Sequence, residues 1–371
     1  MSPWMAAAVG DRRDAIDTPA LILDLDAFEH NLKLMMGALI GTNVRLRPHA
    51  KSHKCPEIAL RQMALGAAGI CCQKVSEASL FVDAGIADVL ITNQVVGPAK
   101  LAHLMKLADR SRIGVLVDHA SQVDALAEAA RSHRVSLDVY VEVDVGAKRC
   151  GVPPGAAAAV LAEQIGASSA LRFAGLHCYQ GGAQHMRAPE QRAQAIANAM
   201  QAALDTKTSI EERGIPVEII TGAGTGTFPL ERDSGVFNEL QAGSYIFMDR
   251  DYADNQRAEN DVHFQHALFV LTTVMSRPTA DRAIVDAGLK ASSVDSGMPA
   301  VWQRDDLRYL KAADEHGVVT TPYYDSVSLG SRMMLVPGHC DPTVNLYDQI
   351  ICVRGDMVEA IWPIAARGAL L

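Results

Sequence analysis

Residues 44–93 read VRLRPHAKSHKCPEIALRQMALGAAGICCQKVSEASLFVDAGIADVLITN. Three short apolar runs, 44–50, 69–75 and 89–93, alternate here with two stretches of helical texture, 56–65 and 76–84. Strand-like runs separated by helical patterns are how a parallel sheet reads. The alternation continues toward the carboxyl end. Runs at 113–118, 137–144, 173–179, 217–221 and 239–245 are interleaved with helical segments at 98–108, 121–130 and 189–213. Eight strand-helix units predict an α/β fold, a (β/α)8 TIM-type barrel with its active site at the carboxyl ends of the strands.

Beyond about residue 260 the helical periodicity fades, and strand-like runs follow one another at 266–275, 282–286, 350–354 and 357–361. This part reads as a second, mostly β domain. The run 20–24 precedes the first barrel helix, 27–39, and has no barrel partner left, so it is expected to pair with that β domain. The predicted division is a barrel over 27–258 and a β domain built from 1–26 plus 259–371.

Composition narrows the function. The chain has 371 residues, 49% hydrophobic and 21% charged, enough for a barrel and a smaller partner domain and ordinary for a globular protein. A formal charge of −9 argues against nucleic acid, because binding a phosphate backbone needs a basic surface. No apolar stretch approaches the length of a membrane span, and residues 1–14 lack a hydrophobic signal core, so the expected location is cytoplasmic. Seven cysteines, including the adjacent Cys71 and Cys72, fit reduced core thiols better than a disulfide framework or a zinc finger.

Three constellations carry chemistry. The first predicted barrel strand ends in Arg47-Pro48-His49-Ala50-Lys51-Ser52-His53-Lys54. An amine at a strand's carboxyl end can be partly desolvated and become competent to form a Schiff base with a carbonyl cofactor, which singles out Lys51. The same run of basic residues also describes a solvated loop. Strand seven runs into Thr221-Gly222-Ala223-Gly224-Thr225-Gly226-Thr227, where barrels commonly grip phosphate, and strand eight ends beside it in Gly243-Ser244-Tyr245. A tight turn needs glycine for steric reasons as well. The third is Pro337-Gly338-His339-Cys340-Asp341 in the β domain. If extended, it turns His339 and Asp341 to one face, where they could share a divalent ion, and Cys340 to the other. A lone His-x-Asp is also a common structural feature.

Together with TPALILD (18–24), CCQKVSEA (71–78), VDVGAKRCG (143–151), Gln184-His185, LQAGSY (240–245) and DAGLK (286–290), these constellations resemble the fold-type III pyridoxal-phosphate enzymes. Within them the resemblance is to the D-threonine aldolase, 3-hydroxy-D-aspartate aldolase and D-serine dehydratase group, over nearly the whole chain. It implies that Lys51 carries pyridoxal 5'-phosphate, that Arg149 contacts the cofactor's phenolic oxygen, and that Tyr179 packs on its ring. Gln73 would also face the cofactor. The phosphate would be held by Gly224, Thr225 and Gly226, with Thr221, Gly243, Ser244 and Tyr245 contributing. His339 and Asp341 would hold the metal, manganese first, with magnesium, cobalt or zinc as alternatives. His185 would be the base at the substrate hydroxyl.

The implied reaction is retro-aldol cleavage of a D-3-hydroxy amino acid to glycine and an aldehyde, in a homodimer whose β domains close the partner's barrel mouth. The rival reaction is dehydration of D-serine or 3-hydroxyaspartate to a 2-oxo acid and ammonia. The dehydratase branch more often places cysteine two residues after the metal histidine, whereas this chain has Asp341. A non-catalytic pyridoxal-phosphate carrier would end after the barrel. A cofactor-free metal hydrolase would leave Lys51 and the glycine loop unexplained. The front half looks more like D-threonine aldolases and the last hundred residues rather like 3-hydroxy-D-aspartate aldolases, which leaves the substrate open.

Overall fold

A computed structural model describes residues 5–258, 261–322 and 327–371. β1 (Ala20–Asp24) stands apart from a curled parallel sheet of eight strands. These are β2 (Arg45–Leu46), β3 (Ile70–Cys72), β4 (Asp88–Gln94), β5 (Arg112–Val117), β6 (Leu137–Glu142), β7 (Leu171–His177), β8 (Ile220–Gly222) and β9 (Glu239–Leu240). Their spatial order runs β2-β9-β8-β7-β6-β5-β4-β3. The two ends meet where Ala68 N–H donates to the Leu46 carbonyl at 2.8 Å and Cys71 N–H to that of Pro48 at 2.9 Å. A bridge between His49 and Cys71 completes the closure. The predicted barrel is therefore present. Every residue of β6 is buried, as expected of a strand covered on both faces.

The predicted strands at the seam were too long. β2 stops before Pro48, which has no N–H for a ladder, and the chain then turns through a 3-10 segment, Ala50–Ser52. Val75 already opens a helix, and Ser244–Ile246 is a 3-10 turn rather than the end of a strand. Helix ends moved by only a few residues. The first begins at Leu25 because the Asp24 side chain accepts from Ala27 N–H at 3.0 Å and caps it.

β1 joins the second sheet, as expected. It pairs antiparallel with β10 (Leu268–Thr279), Ala20 opposite Leu271, and parallel with Gln349–Arg354, Ile22 opposite Ile351. Four strands of this sheet went unread in the sequence: Ala300–Val301, Arg308–Ala312, Gly317–Thr320 and Arg332–Val336. The last pairs with β10 and leads the chain back toward the barrel at Pro337 and Gly338. One core runs continuously through barrel and sheet, with Phe28 of the first helix edge-on to Trp362 at 6.0 Å. The predicted boundary at 258/259 abuts residues 259–260, which lie outside the described residues. Among the described residues no helix is long and apolar enough to cross a membrane.

Candidate active site

The carboxyl ends of the barrel strands and the segment 339–341 enclose a cavity of about 130 Å³. Its wall includes Lys51, Gln73, Arg149, Tyr179, His185, Gly224, Thr225, Gly243, Ser244, His339 and Asp341. Most of the residues singled out in the sequence thus converge, although they come from opposite ends of the chain. Gly226 sits one step behind, in the same loop.

The basic cluster 47–54 does not behave as a solvated loop. Arg47 is buried at the other end of the barrel, 2.6 Å from Asp88 and 3.1 Å from the buried Glu239. His53 packs edge-on to Phe81, and burial lowers its pKa to about 3. Lys54 pairs with the buried Glu77 at 3.2 Å. Of the basic residues in this cluster, His49 and Lys51 face the cavity. His49 accepts from Lys51 N–H and exchanges a hydrogen bond with Thr92 at 2.9 Å, and burial holds its pKa well below the ordinary value.

Lys51 Nζ lies 3.7 Å from Asp341 Oδ2 and keeps 42% of its side chain exposed toward the cavity. Desolvation was expected to strip its proton, and burial does work in that direction. Asp341 and the Tyr179 phenol outweigh it, so the ammonium is held above the usual lysine range. In this arrangement the amine is stored charged against Asp341. Arg149 lies 3.7 Å from Glu142 and 5.7 Å over the Tyr179 ring, at one wall of the cavity. Below it Gln241 accepts from or donates to neighbours on both sides, 3.2 Å from His177 and 2.8 Å from Thr221. Thr221 is therefore a support of the floor and does not itself line the cavity.

The glycine loop fits a phosphate. The Thr225 hydroxyl is buried without a hydrogen-bond partner, a vacancy an anion's oxygen would fill. A Cβ on Gly224, Gly226 or Gly243 would lie 2.4–2.5 Å from Gln184 or His49 atoms, so all three are glycine because the packing leaves no room. Two of the expected phosphate contacts are placed differently. The Tyr245 hydroxyl accepts from Gln62 at 3.2 Å in the core, against Phe264, and is outside the cavity. Ser244 does reach the cavity, but its hydroxyl donates to Asp341 at 3.3 Å.

The segment carrying the expected metal ligands is not extended. His339 is, but Cys340–Val344 forms a short helix, so strand alternation was the wrong reason for the pairing. Cys340 is buried, its N–H donates to Asp249 at 2.9 Å, and its thiol donates to Asp341 at 3.3 Å. Asp295 pairs with His339 Nδ1 at 2.8 Å, which leaves Nε2 for an ion in the manner of carboxylate-supported metal histidines. An imidazole and a carboxylate suit a borderline or hard divalent ion. Among the described residues the three-donor cluster is elsewhere, at Asp118, Glu142 and Cys150. There the carboxylates are already occupied by Gln94, Arg149, Gln122 and Gly151 N–H.

His185 Nδ1 lies 2.9 Å from Asp251, which Arg187 also engages, and its ring packs against Tyr252 at 5.1 Å. Burial lowers its pKa although Asp251 opposes this, so the imidazole is neutral with Nδ1–H donating. Asp251, Asp295, Tyr252, His177 and Gln241 were not singled out as site residues in the sequence. Gln241 falls within LQAGSY and His177 within the run 173–179, but neither pattern marks a site role there, and the other three carry no local signal.

Two family descriptions match the chain, the alanine racemase N-terminal domain over residues 23–251 and a serine dehydratase domain over 267–353. The chain is 49% identical to a D-threonine aldolase from an Arthrobacter species, covering 98% of this chain and 96% of the relative. It is 43% identical to a 3-hydroxy-D-aspartate aldolase from Paracoccus denitrificans, covering 98% and 95%. The crystal structure of D-threonine aldolase from Filomicrobium marinum superposes with a TM-score of 0.98 at 49% identity, over 99% of this chain and 100% of that one. The barrel, the cavity and these likenesses agree: the chain belongs to the alanine racemase N-terminal domain family of fold-type III pyridoxal-phosphate enzymes, in the group of D-threonine and 3-hydroxy-D-aspartate aldolases.

Proposed function

We propose that the protein is a carbon-carbon lyase, dependent on pyridoxal 5'-phosphate and a divalent metal, that cleaves D-3-hydroxy amino acids to glycine and an aldehyde. One observation carries the reading: Lys51, the Thr225 loop and the His339–Asp341 pair face a single cavity. The identities of 49% and 43% to aldolases over nearly full length favour cleavage over dehydration.

Held at Lys51, the cofactor supplies an electron sink for the Cα–Cβ bond. A divalent ion at His339 and Asp341, manganese above magnesium, cobalt or zinc, supplies positive charge that eases loss of the 3-hydroxyl proton. The chain's own residues do the rest. His185 is neutral and commits Nδ1–H to Asp251, which leaves Nε2 to accept that proton. Asp295 orients His339. Gly224 and Thr225 would hold the phosphate, with Gly243 and Gly226, whose N–H is committed to Gln184, giving close approach, and Tyr179 and Gln73 would border the ring. Arg149, held 3.7 Å from Glu142, would meet the cofactor's phenolic oxygen. The barrel unit spans 27–258, the β unit spans 1–26 with 259–371, and the working form is a homodimer.

The test is turnover on D-threonine, D-phenylserine and 3-hydroxy-D-aspartate, with glycine and ammonia assayed separately. Equal amounts of glycine and aldehyde are expected. Ammonia with a 2-oxo acid would instead establish the dehydratase.

A further inference from the structure

Gln184 precedes the proposed base in sequence, in the 3-10 turn Gly181–His185, yet its side chain points away from the chemistry and is fully buried. Its amide is spent entirely on the glycine loop and its own turn. Oε1 accepts from Gly226 N–H at 3.0 Å, while Nε2 donates to the Thr227 hydroxyl at 2.8 Å and to the Gln180 carbonyl at 3.2 Å. Thr227 in turn donates to the buried Glu231 at 2.8 Å. Neither loop glycine could carry a Cβ. At Gly224 it would lie 2.5 Å from Gln184 Oε1, and at Gly226 it would lie 2.4 Å from the Gln184 carbonyl oxygen. The Gln184 carbonyl also accepts from Asn255 at 2.9 Å, and Asn255 accepts from Arg187, which holds the Asp251 that orients His185.

We propose that Gln184 is a positioning residue that pre-forms the phosphate-binding loop, so that the N–H groups of Gly224 and Thr225 and the Thr225 hydroxyl are aimed before the ligand arrives. This rests on the reading that the loop holds the cofactor phosphate. The side chain does so by locking Gly226 and Thr227 together from behind, where a water molecule would hold them less rigidly. It does not line the cavity itself. Its effect is therefore confined to the phosphate end, which gives a signature a general loss of stability does not produce.

The experiment compares the affinities of the metal-loaded, cofactor-stripped protein for pyridoxal 5'-phosphate and for pyridoxal, followed by absorbance. In the unaltered protein the phosphorylated form should bind far more tightly. In Gln184→Ala that preference should shrink by about 10-fold or more, the scale of losing buried hydrogen bonds, with pyridoxal affinity little changed. Thr227→Val should shrink it in the same sense and Thr227→Ser should restore it, which keeps the test valid if Gln184→Ala does not fold. An unchanged preference in both Gln184→Ala and Thr227→Val overturns the proposal while leaving the loop assignment intact. An unaltered protein that binds pyridoxal as tightly as its phosphate overturns the loop assignment, and the proposal with it.

Discussion

Lys51 was legible from its place after the first barrel strand, but its surroundings were not. The sequence presents five basic residues in a row of eight. Folding sends Arg47 to Glu239 at the far end, His53 into the core and Lys54 to Glu77, and leaves Lys51 beside Asp341, 290 positions away in the chain. Each of those partners is a tertiary neighbour, and no local pattern announces it. The same holds for Asp295 on His339 and Asp251 on His185. At this scale the account predicts a yellow protein whose cofactor is fixed by borohydride onto Lys51. Mass spectrometry of Lys51→Ala after reduction should find no adduct, and an adduct on another lysine would refute the assignment.

Among elements, the barrel strands and the five helical segments named from alternation are present, the helices Ala156–Gly166 and Phe228–Arg232 were not named, and the strand errors fell where turns intervene. Pro48 ends β2, the chain at Ser244 curls into a 3-10 turn, and Cys340 begins a helix where an extended segment was expected. These breaks place Lys51, Ser244 and Asp341 at one mouth. The glycine loop gives a steric prediction. Gly226→Ala should cost about 1–3 kcal/mol, as overpacking does, because the new methyl meets the Gln184 carbonyl. Thermal unfolding measures this, and an unchanged midpoint would mean the loop yields freely.

The segment Phe228–Arg232 behind that loop gives a pH prediction. Burial pushes the Glu231 carboxyl up to about 7, against hydrogen bonds from Thr227 and from its own backbone N–H, and one of its oxygens, Oε2, has no partner. The folded state therefore favours the protonated acid. Its contribution to stability is complete below about pH 4.5 and is lost as the pH rises to about 7, a span worth about 3 kcal/mol. Glu231→Gln keeps an acceptor for Thr227 and removes the titration. Its denaturant midpoint should match that of the unaltered protein at pH 4.5 and exceed it at pH 8. Equal midpoints at both would show that the fold does not raise the Glu231 pKa.

For the whole molecule, the run 20–24 was assigned to the second sheet by elimination, and β1 does lie between β10 and Gln349–Arg354. Four short strands of that sheet have no clear alternation in the sequence, and two of them, Arg308–Ala312 and Arg332–Val336, open on exposed arginines. Within one chain the cavity's side chains remain open, with 42% of Lys51, 54% of Arg149 and 41% of His185 exposed. A partner's covering of that mouth is the reason to expect a homodimer. Sedimentation at assay concentration should give twice 39.7 kDa, and a fully active monomer would contradict it. The central claim is that cofactor and metal act at one cavity in separate capacities. It is tested most directly by chelating the yellow holoenzyme and recording its absorbance and its release of glycine from D-threonine together. The account predicts that the colour stays, glycine release stops, and manganese or another divalent ion restores it. Full glycine release from metal-stripped protein would contradict it.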